Sequence, residues 1–197
     1  MAPSALRETV LRAAVDYIAV HGPDGLSFRQ LAAEAGVSHQ APYHHFVDRK
    51  GIFQAIASEG FIRLAATLRD VEGETGTDRA LLLLERYVDF ALDNRGHFRV
   101  MFRSELCVME SDLALQRVAD EAFGALVDHV QADLGPHASL TDIRVRATAM
   151  WSLAHGLATL LIDGPLEVKI GEIANRRAFV RAVGAQMMLD QSTRPII

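Results

Sequence analysis

The chain has 197 residues, half of them apolar and 23% charged, with 20 Lys and Arg against 25 Asp and Glu. A chain of this size and apolar content buries a real core in one or two domains, which excludes wholesale disorder. Its single cysteine, Cys107, excludes an internal disulfide framework and suits a reducing cytoplasm, while the net charge of −5 argues against nucleic acid until the charges are located.

The first residues, MAPSALRETV, carry no apolar run behind a basic one, so no secretory signal is expected. Leu6, Val10, Ala13, Ala14, Tyr17 and Ile18 recur at helical spacing behind Ser4 as an N-cap, and His21-Gly22-Pro23 ends that helix. Ser27-Phe28-Arg29-Gln30 fits a capping box, in which Ser27 and Gln30 satisfy each other's exposed backbone donors. The short helix it opens runs to about Ala35 and stops at Gly36. Ser38 can cap a second short helix reaching about Phe46, with Pro42 in its first turn, where a missing N–H costs little. Asp48 then caps a longer helix whose apolar face is Ile52, Phe53, Ile56, Phe61, Leu64 and Leu68.

A polar, glycine-rich break from Glu72 to Gly76 is the best candidate boundary. Beyond it the periodicity predicts helices at about 77–94, 96–106, 111–134, 141–163 and 172–190. Their separators are Asn94-Arg95-Gly96, Glu110-Ser111-Asp112, Gly135-Pro136 and Asp163-Gly164-Pro165. The longest apolar stretch, Ala147 to Ile162, is interrupted by Ser152, His155 and Thr159 and is shorter than the ~20 residues of a membrane span, so a buried helix is expected. No segment alternates in the manner of a strand. The expected class is all-α, with an N-terminal three-helix domain and a C-terminal helical bundle. The expected division is residues 1–50, a connecting helix and linker at 51–76, and a bundle at 77–197.

The charge is unevenly spread. Residues 1–50 hold five basic side chains (Arg7, Arg12, Arg29, Arg49, Lys50) and five acidic ones (Glu8, Asp16, Asp24, Glu34, Asp48), so the remaining 15 basic and 20 acidic residues carry the whole deficit. A neutral first quarter permits nucleic acid without proving it.

Two short helices joined by a tight glycine turn and followed by a longer helix make a helix-turn-helix candidate. Leu31, Ala32, Ala35 and Val37 supply its packing, and Gly36 can take the positive φ of the turn. The second short helix displays Ser38, His39, Gln40, Ala41, Tyr43, His44 and His45, small or hydrogen-bonding side chains suited to phosphates and base edges. His44 and His45, adjacent on a helix, do not share a face and with His39 make no convincing metal site, so no metal is expected.

The run Leu26-Ser27-Phe28-Arg29-Gln30-Leu31-Ala32-Ala33-Glu34-Ala35-Gly36-Val37-Ser38, then Tyr43-His44-His45-Phe46-Val47-Asp48-Arg49-Lys50, closely resembles the DNA-binding region of TetR-family repressors over about residues 6–55. The resemblance implies base contacts from Ser38, His39, Gln40 and Ala41, and contacts to phosphates or bases from Tyr43 and His44. Phe46 matches a packing position. Arg29 matches a position that reaches the backbone, and Arg49 stands where the family usually has lysine, at a helix N-terminus suited to phosphate. Pro42 departs from the bulky aliphatic residue frequent there. The expected DNA-facing set is Ser27, Arg29, Ser38, His39, Gln40, Ala41, Tyr43, His44, Arg49 and Lys50.

In the C-terminal part, Tyr87, Phe90, Phe98, Met101, Phe102, Phe123, Trp151 and His155 are candidates for lining a pocket for a small, largely apolar effector, although such residues also serve as plain core. Trp151-Ser152-Leu153-Ala154-His155-Gly156-Leu157 resembles the Trp-x-x-x-His-Gly segment of one class of TetR-family C-terminal domains. Small residues on the helix at about 141–163 and on the one at about 172–190 suit a four-helix interface between two copies. Cys107 reads as a small apolar filler, because nothing beside it clearly lowers its pKa. No G-x-S-x-G, H-E-x-x-H, P-loop or dinucleotide fingerprint is present, so neither an enzyme nor a cofactor is expected. The expected protein is a cytoplasmic, homodimeric, ligand-responsive DNA-binding regulator; the rival readings are an all-α small-molecule carrier or a hydrolase that does not bind DNA.

Overall fold

A computed structural model describes residues 3–73, 75–107 and 112–189, with side chains between residues 5 and 187 in those ranges. The Ser4 cap and the Glu110-Ser111 separator lie outside the described residues. Every described element is a helix, and no strand occurs among the described residues. In chain order they are α1 (Pro3–His21), α2 (Phe28–Glu34), α3 (Ala41–His45), α4 (Arg49–Arg69), α5 (Gly76–Asp93), α6 (Arg95–Met101), α7 (Leu113–Leu134), α8 (Leu140–Ile162), α9 (Pro165–Ile170) and α10 (Arg176–Leu189).

The chain forms two compact units, one of Met1–Arg63 with Asn94–Asp120 and the other of Leu64–Asp93 with Glu121–Ile197. This differs from the expected division: α6 belongs with the first helices. The reason is local. Gly96, expected as a separator, lies inside α6, and a Cβ there would overlap the Val15 carbonyl oxygen, so only glycine lets the two backbones approach this closely. α6 also ends at Met101 rather than near residue 106.

In the first unit, Val10, Ala14 and Ile18 of α1, Leu31 and Ala32 of α2, and Ile52 and Ile56 of α4 are all fully buried. Burying each Leu or Ile is worth roughly 1.5–3 kcal/mol. Asp48 caps α4 as expected, its Oδ1 accepting from the Gly51 N–H at 2.9 Å.

In the second unit, α5 packs against α8 on one side and α10 on the other. Gly184 of α10 presses on Leu81 and Leu84, whose methyls would lie 2.8 and 2.5 Å from an added Cβ. Arg177 pairs with Asp89, and Arg181 with Asp78 and Glu85, across the same seam. Two boundaries depart from the sequence expectation. A short helix, α9, stands between Gly164 and Gly171, both at positive φ, and α10 starts at Arg176, where the Asn175 side chain accepts from the Ala178 N–H.

Helix α8 was expected to be buried, yet only 28% of its most apolar stretch is buried within the chain. It is long and apolar enough to cross a membrane by length and composition alone. Ile143, Ala147, Ala154, Leu157 and Ala158 face the core, while Val145, Ala149, Ser152, Gly156 and Leu160 form an exposed stripe at helical spacing.

Candidate nucleic-acid interface

The helix-turn-helix forms where the sequence predicts it. Ser27 adopts the extended backbone of an N-cap and its Oγ accepts from the Gln30 N–H at 3.2 Å. The return half of the capping box does not form. The Gln30 amide instead donates to the Tyr17 hydroxyl at 3.3 Å, tying α2 to α1, and the Ser27 hydroxyl points at Gln30 Oε1. At the other end, Gly36 has φ +63°. The Gly36 N–H donates to Ala33 and the Val37 N–H to Ala32, the paired bonds of a Schellman turn. That turn aims the chain into α3.

Helix α3 starts at Ala41, later than expected, and Gln40 rather than Ser38 occupies its cap position, without a side-chain bond. Ser38, His39 and Gln40 stand exposed ahead of it, and Tyr43 and His44 are exposed on it. Tyr43 is 60% exposed while its ring meets Phe28 edge-on at 4.5 Å, so the hydroxyl end is held outward. Phe46 is buried as expected, with the Arg7 guanidinium over its ring at 5.2 Å.

Two expected DNA contacts differ in the fold. Ala41 is only 4% exposed: α3 is five residues long, and with Pro42 this methyl forms its inward side, so it is corrected to a packing residue. Arg49 is exposed at the start of α4, but its Nη2 donates to the Pro23 and Asp24 carbonyls at 3.1 and 3.2 Å, and its guanidinium lies 5.5 Å from the Phe53 ring. Ser27, Arg29 and Lys50 are exposed. No group of three metal-ligating side chains occurs among the described residues.

The eight candidate pocket residues fall in both units. Phe98, Met101 and Phe102 belong to the first, where Phe102 meets Phe61 and Phe98 edge-on at 5.4 Å. Tyr87, Phe90, Phe123, Trp151 and His155 belong to the second. There the Trp151 Nε1–H donates to the Tyr87 hydroxyl at 3.3 Å, and that hydroxyl lies 3.0 Å from His155 Nδ1. Burial pushes the Tyr87 phenol well above its ordinary pKa and the His155 imidazole below its own, so both stay neutral at pH 7. Phe123 packs on Trp151 at 5.6 Å. Cys107 is buried and its thiol is pushed up to about 12, chiefly by burial, which leaves it unreactive.

Sequence reasoning missed Arg99. It lies on α6, and its Nη1 donates to the Ile18 and Ala19 carbonyls at the end of α1, at 3.2 and 3.0 Å. The available signal was Gly96 three residues earlier, because a glycine inside a helical run marks a close backbone approach.

A helix-turn-helix that presents an exposed polar helix, in an otherwise helical chain, defines a DNA-binding transcriptional regulator. Residues 10–56 match the description "Bacterial regulatory proteins, tetR family", and residues 80–185 match "Tetracyclin repressor-like, C-terminal domain". The chain belongs to the TetR family, whose regulators bind operator DNA and effector ligands as dimers. It is similar to the HTH-type transcriptional repressor AcnR of Corynebacterium glutamicum, 34% identical over 171 residues, covering 87% of this chain and 89% of that one. The Corynebacterium diphtheriae protein of the same name is 28% identical over 80% and 82% of the two chains. A solved structure of a Rhodococcus protein of unknown function superposes with a TM-score of 0.74 at 29% identity, covering 94% of both chains.

Proposed function

We propose that this regulator is a cytoplasmic repressor that holds a pseudo-palindromic operator as a homodimer and leaves it when a small effector binds. The observation that carries this reading is the polar rim of α3: Ser38, His39, Gln40, Tyr43 and His44 are exposed, while Ala41, Pro42 and Phe46 on its other side are buried. Ser27, Arg29 and Lys50 flank that rim and meet phosphates, which fix register, while the rim reads base edges. The corynebacterial relatives are named repressors, which supports that direction of control.

The dimer forms through α8 and α10. The exposed α8 stripe of Val145, Ala149, Ser152, Gly156 and Leu160 is narrow enough for close helix approach, and Ala178 and Ala182 are exposed on α10. Twofold symmetry then sets half-sites one or more helical turns apart, ~34–36 Å per turn. By role, residues 1–50 carry the DNA contacts, 51–76 connect, and 77–197 sense and dimerise, with α6 the part of that last segment that packs with the first helices. The effector is small and largely apolar and meets Tyr87, Phe90, Phe123, Trp151 and His155. Its binding weakens operator affinity by the factor with which operator weakens effector binding.

A shift assay with the DNA upstream of the protein's own gene tests the site. Tyr43→Ala and Gln40→Ala are expected to weaken binding by roughly tenfold or more each. Unchanged binding in both folded variants would overturn the assignment.

A further inference from the structure

We propose that Arg99 and Arg49 form a carbonyl clamp that sets the position of the helix-turn-helix and so governs operator affinity, neither arginine touching DNA. An α-helix leaves its last four carbonyls without intrahelical partners. At the end of α1 those belong to residues 18–21; the Gly22 N–H already donates to Ile18 at 3.0 Å, and Arg99 adds bonds to Ile18 and Ala19 with one nitrogen. A cation at a helix C-terminus also meets the negative end of the helix dipole. Five residues further on, Arg49 takes the Pro23 and Asp24 carbonyls with one nitrogen of its own, and the Phe53 ring braces its guanidinium. One arginine comes from α6 and the other from α4, and both grip the segment 18–24.

That segment leads into α2. The Leu26 N–H donates to Pro23, Ser27 caps α2, and Tyr17, the residue just before the gripped carbonyls, receives the Gln30 amide. α2 in turn meets α3 through Phe28 and Tyr43. The core between these helices is held by burial, which is non-directional, whereas four charge-assisted bonds to carbonyls fix distance and angle. The seating of α6 couples the two helices, because with Gly96 against Val15 a shift of α6 carries Arg99 with it. Base readout tolerates displacements of only about 0.5 Å, so loosening the grip costs affinity in a protein that remains folded.

The test uses the full-length chain and a duplex that the wild type itself enriches from a random-sequence pool. Arg99→Gln and Arg49→Ala are measured at a temperature where circular dichroism shows each variant folded. The clamp predicts a roughly tenfold weaker operator affinity for either. It also predicts an unchanged slope of log affinity against log salt, because no phosphate contact is lost. The double variant loses less than the product of the two, since both arginines hold one segment, and Arg99→Lys recovers part of the loss. Unchanged affinity in folded variants reduces both arginines to structural props and overturns the proposal. A salt slope that falls by about one per subunit makes the residue a phosphate contact and overturns it as well. Where Arg99→Gln does not fold, Arg49→Ala and Arg49→Lys decide. A wild-type chain that enriches no duplex refutes DNA binding itself, a result distinct from any difference between variants.

Discussion

His97 lies on α6 with 4% of its surface exposed, and neither ring nitrogen has a hydrogen-bond partner among the described residues. Its Nε2 is 3.7 Å from Glu59 Oε2 on α4, beyond a good hydrogen bond. Burial is the largest influence and pushes its pKa down; Glu59 and Asp16 oppose that and Arg63 adds to it. The native state therefore holds the neutral imidazole, and the unfolded chain takes up the proton first. Stability from this residue is fully present above about pH 6.5 and is lost as the pH falls toward the lowered native pKa. The urea midpoint is expected to drop between about pH 7.5 and about pH 5.5, and His97→Phe to flatten that dependence. His155, whose pKa burial also lowers, contributes in the same direction, so a single substitution removes only part of it. None of this is legible in sequence, because whether a histidine is buried and partnered depends on helices some 40 residues away.

At the scale of elements, two glycines separate local from tertiary information. Gly36 holds φ +63° with open space where a side chain would go, so Gly36→Ala carries only conformational strain, about 1 kcal/mol. Gly96 sits inside α6 against the backbone of Val15, which cannot move aside as a flexible side chain can. Gly96→Ala is expected to cost at least about 2 kcal/mol in chemical denaturation and to separate α6 from α1. Gly36 was legible, since a helix stop before Val-Ser announces a positive φ. Gly96 had the sequence signature of a separator, and only its neighbour across space explains it. The Asp48 and Ser27 caps were legible for the same local reason, each accepting a backbone N–H three residues ahead. The six-residue α9 was not, because it buries no residue and so carries no apolar period.

At the scale of the whole molecule, the proposed second copy and the charge balance make their own predictions. Gly156→Arg places a bulky cation in the exposed α8 stripe and is expected to give a monomer by sedimentation velocity, with operator affinity lost and helicity retained. A folded dimer from that variant would move the interface elsewhere. The net charge of −5 falls outside residues 1–50, so DNA binding rests on a few placed contacts. With Arg49 spending its Nη2 on carbonyls, Arg29 and Lys50 dominate the proposed phosphate contacts. The salt dependence of operator binding is expected to report about four to six neutralised phosphates per dimer, and about ten or more would reveal a further basic surface in contact with DNA.

The sequence by itself determined the all-helical class and the two short helices with their turn, because caps, glycine turns and apolar periods act over three to five neighbouring residues; the family was legible only as the resemblance of residues 26–50 to TetR-family repressors. The tertiary structure decided what those elements meet. It placed α6 with the first helices, turned Ala41 inward, and brought Arg99 to carbonyls 80 residues earlier in the chain. It also left one stripe of α8 uncovered, which the apolar composition of that helix had hidden. Periodicity records how many faces a helix must bury; only packing assigns each face a partner, since the burial that drives it has no direction of its own.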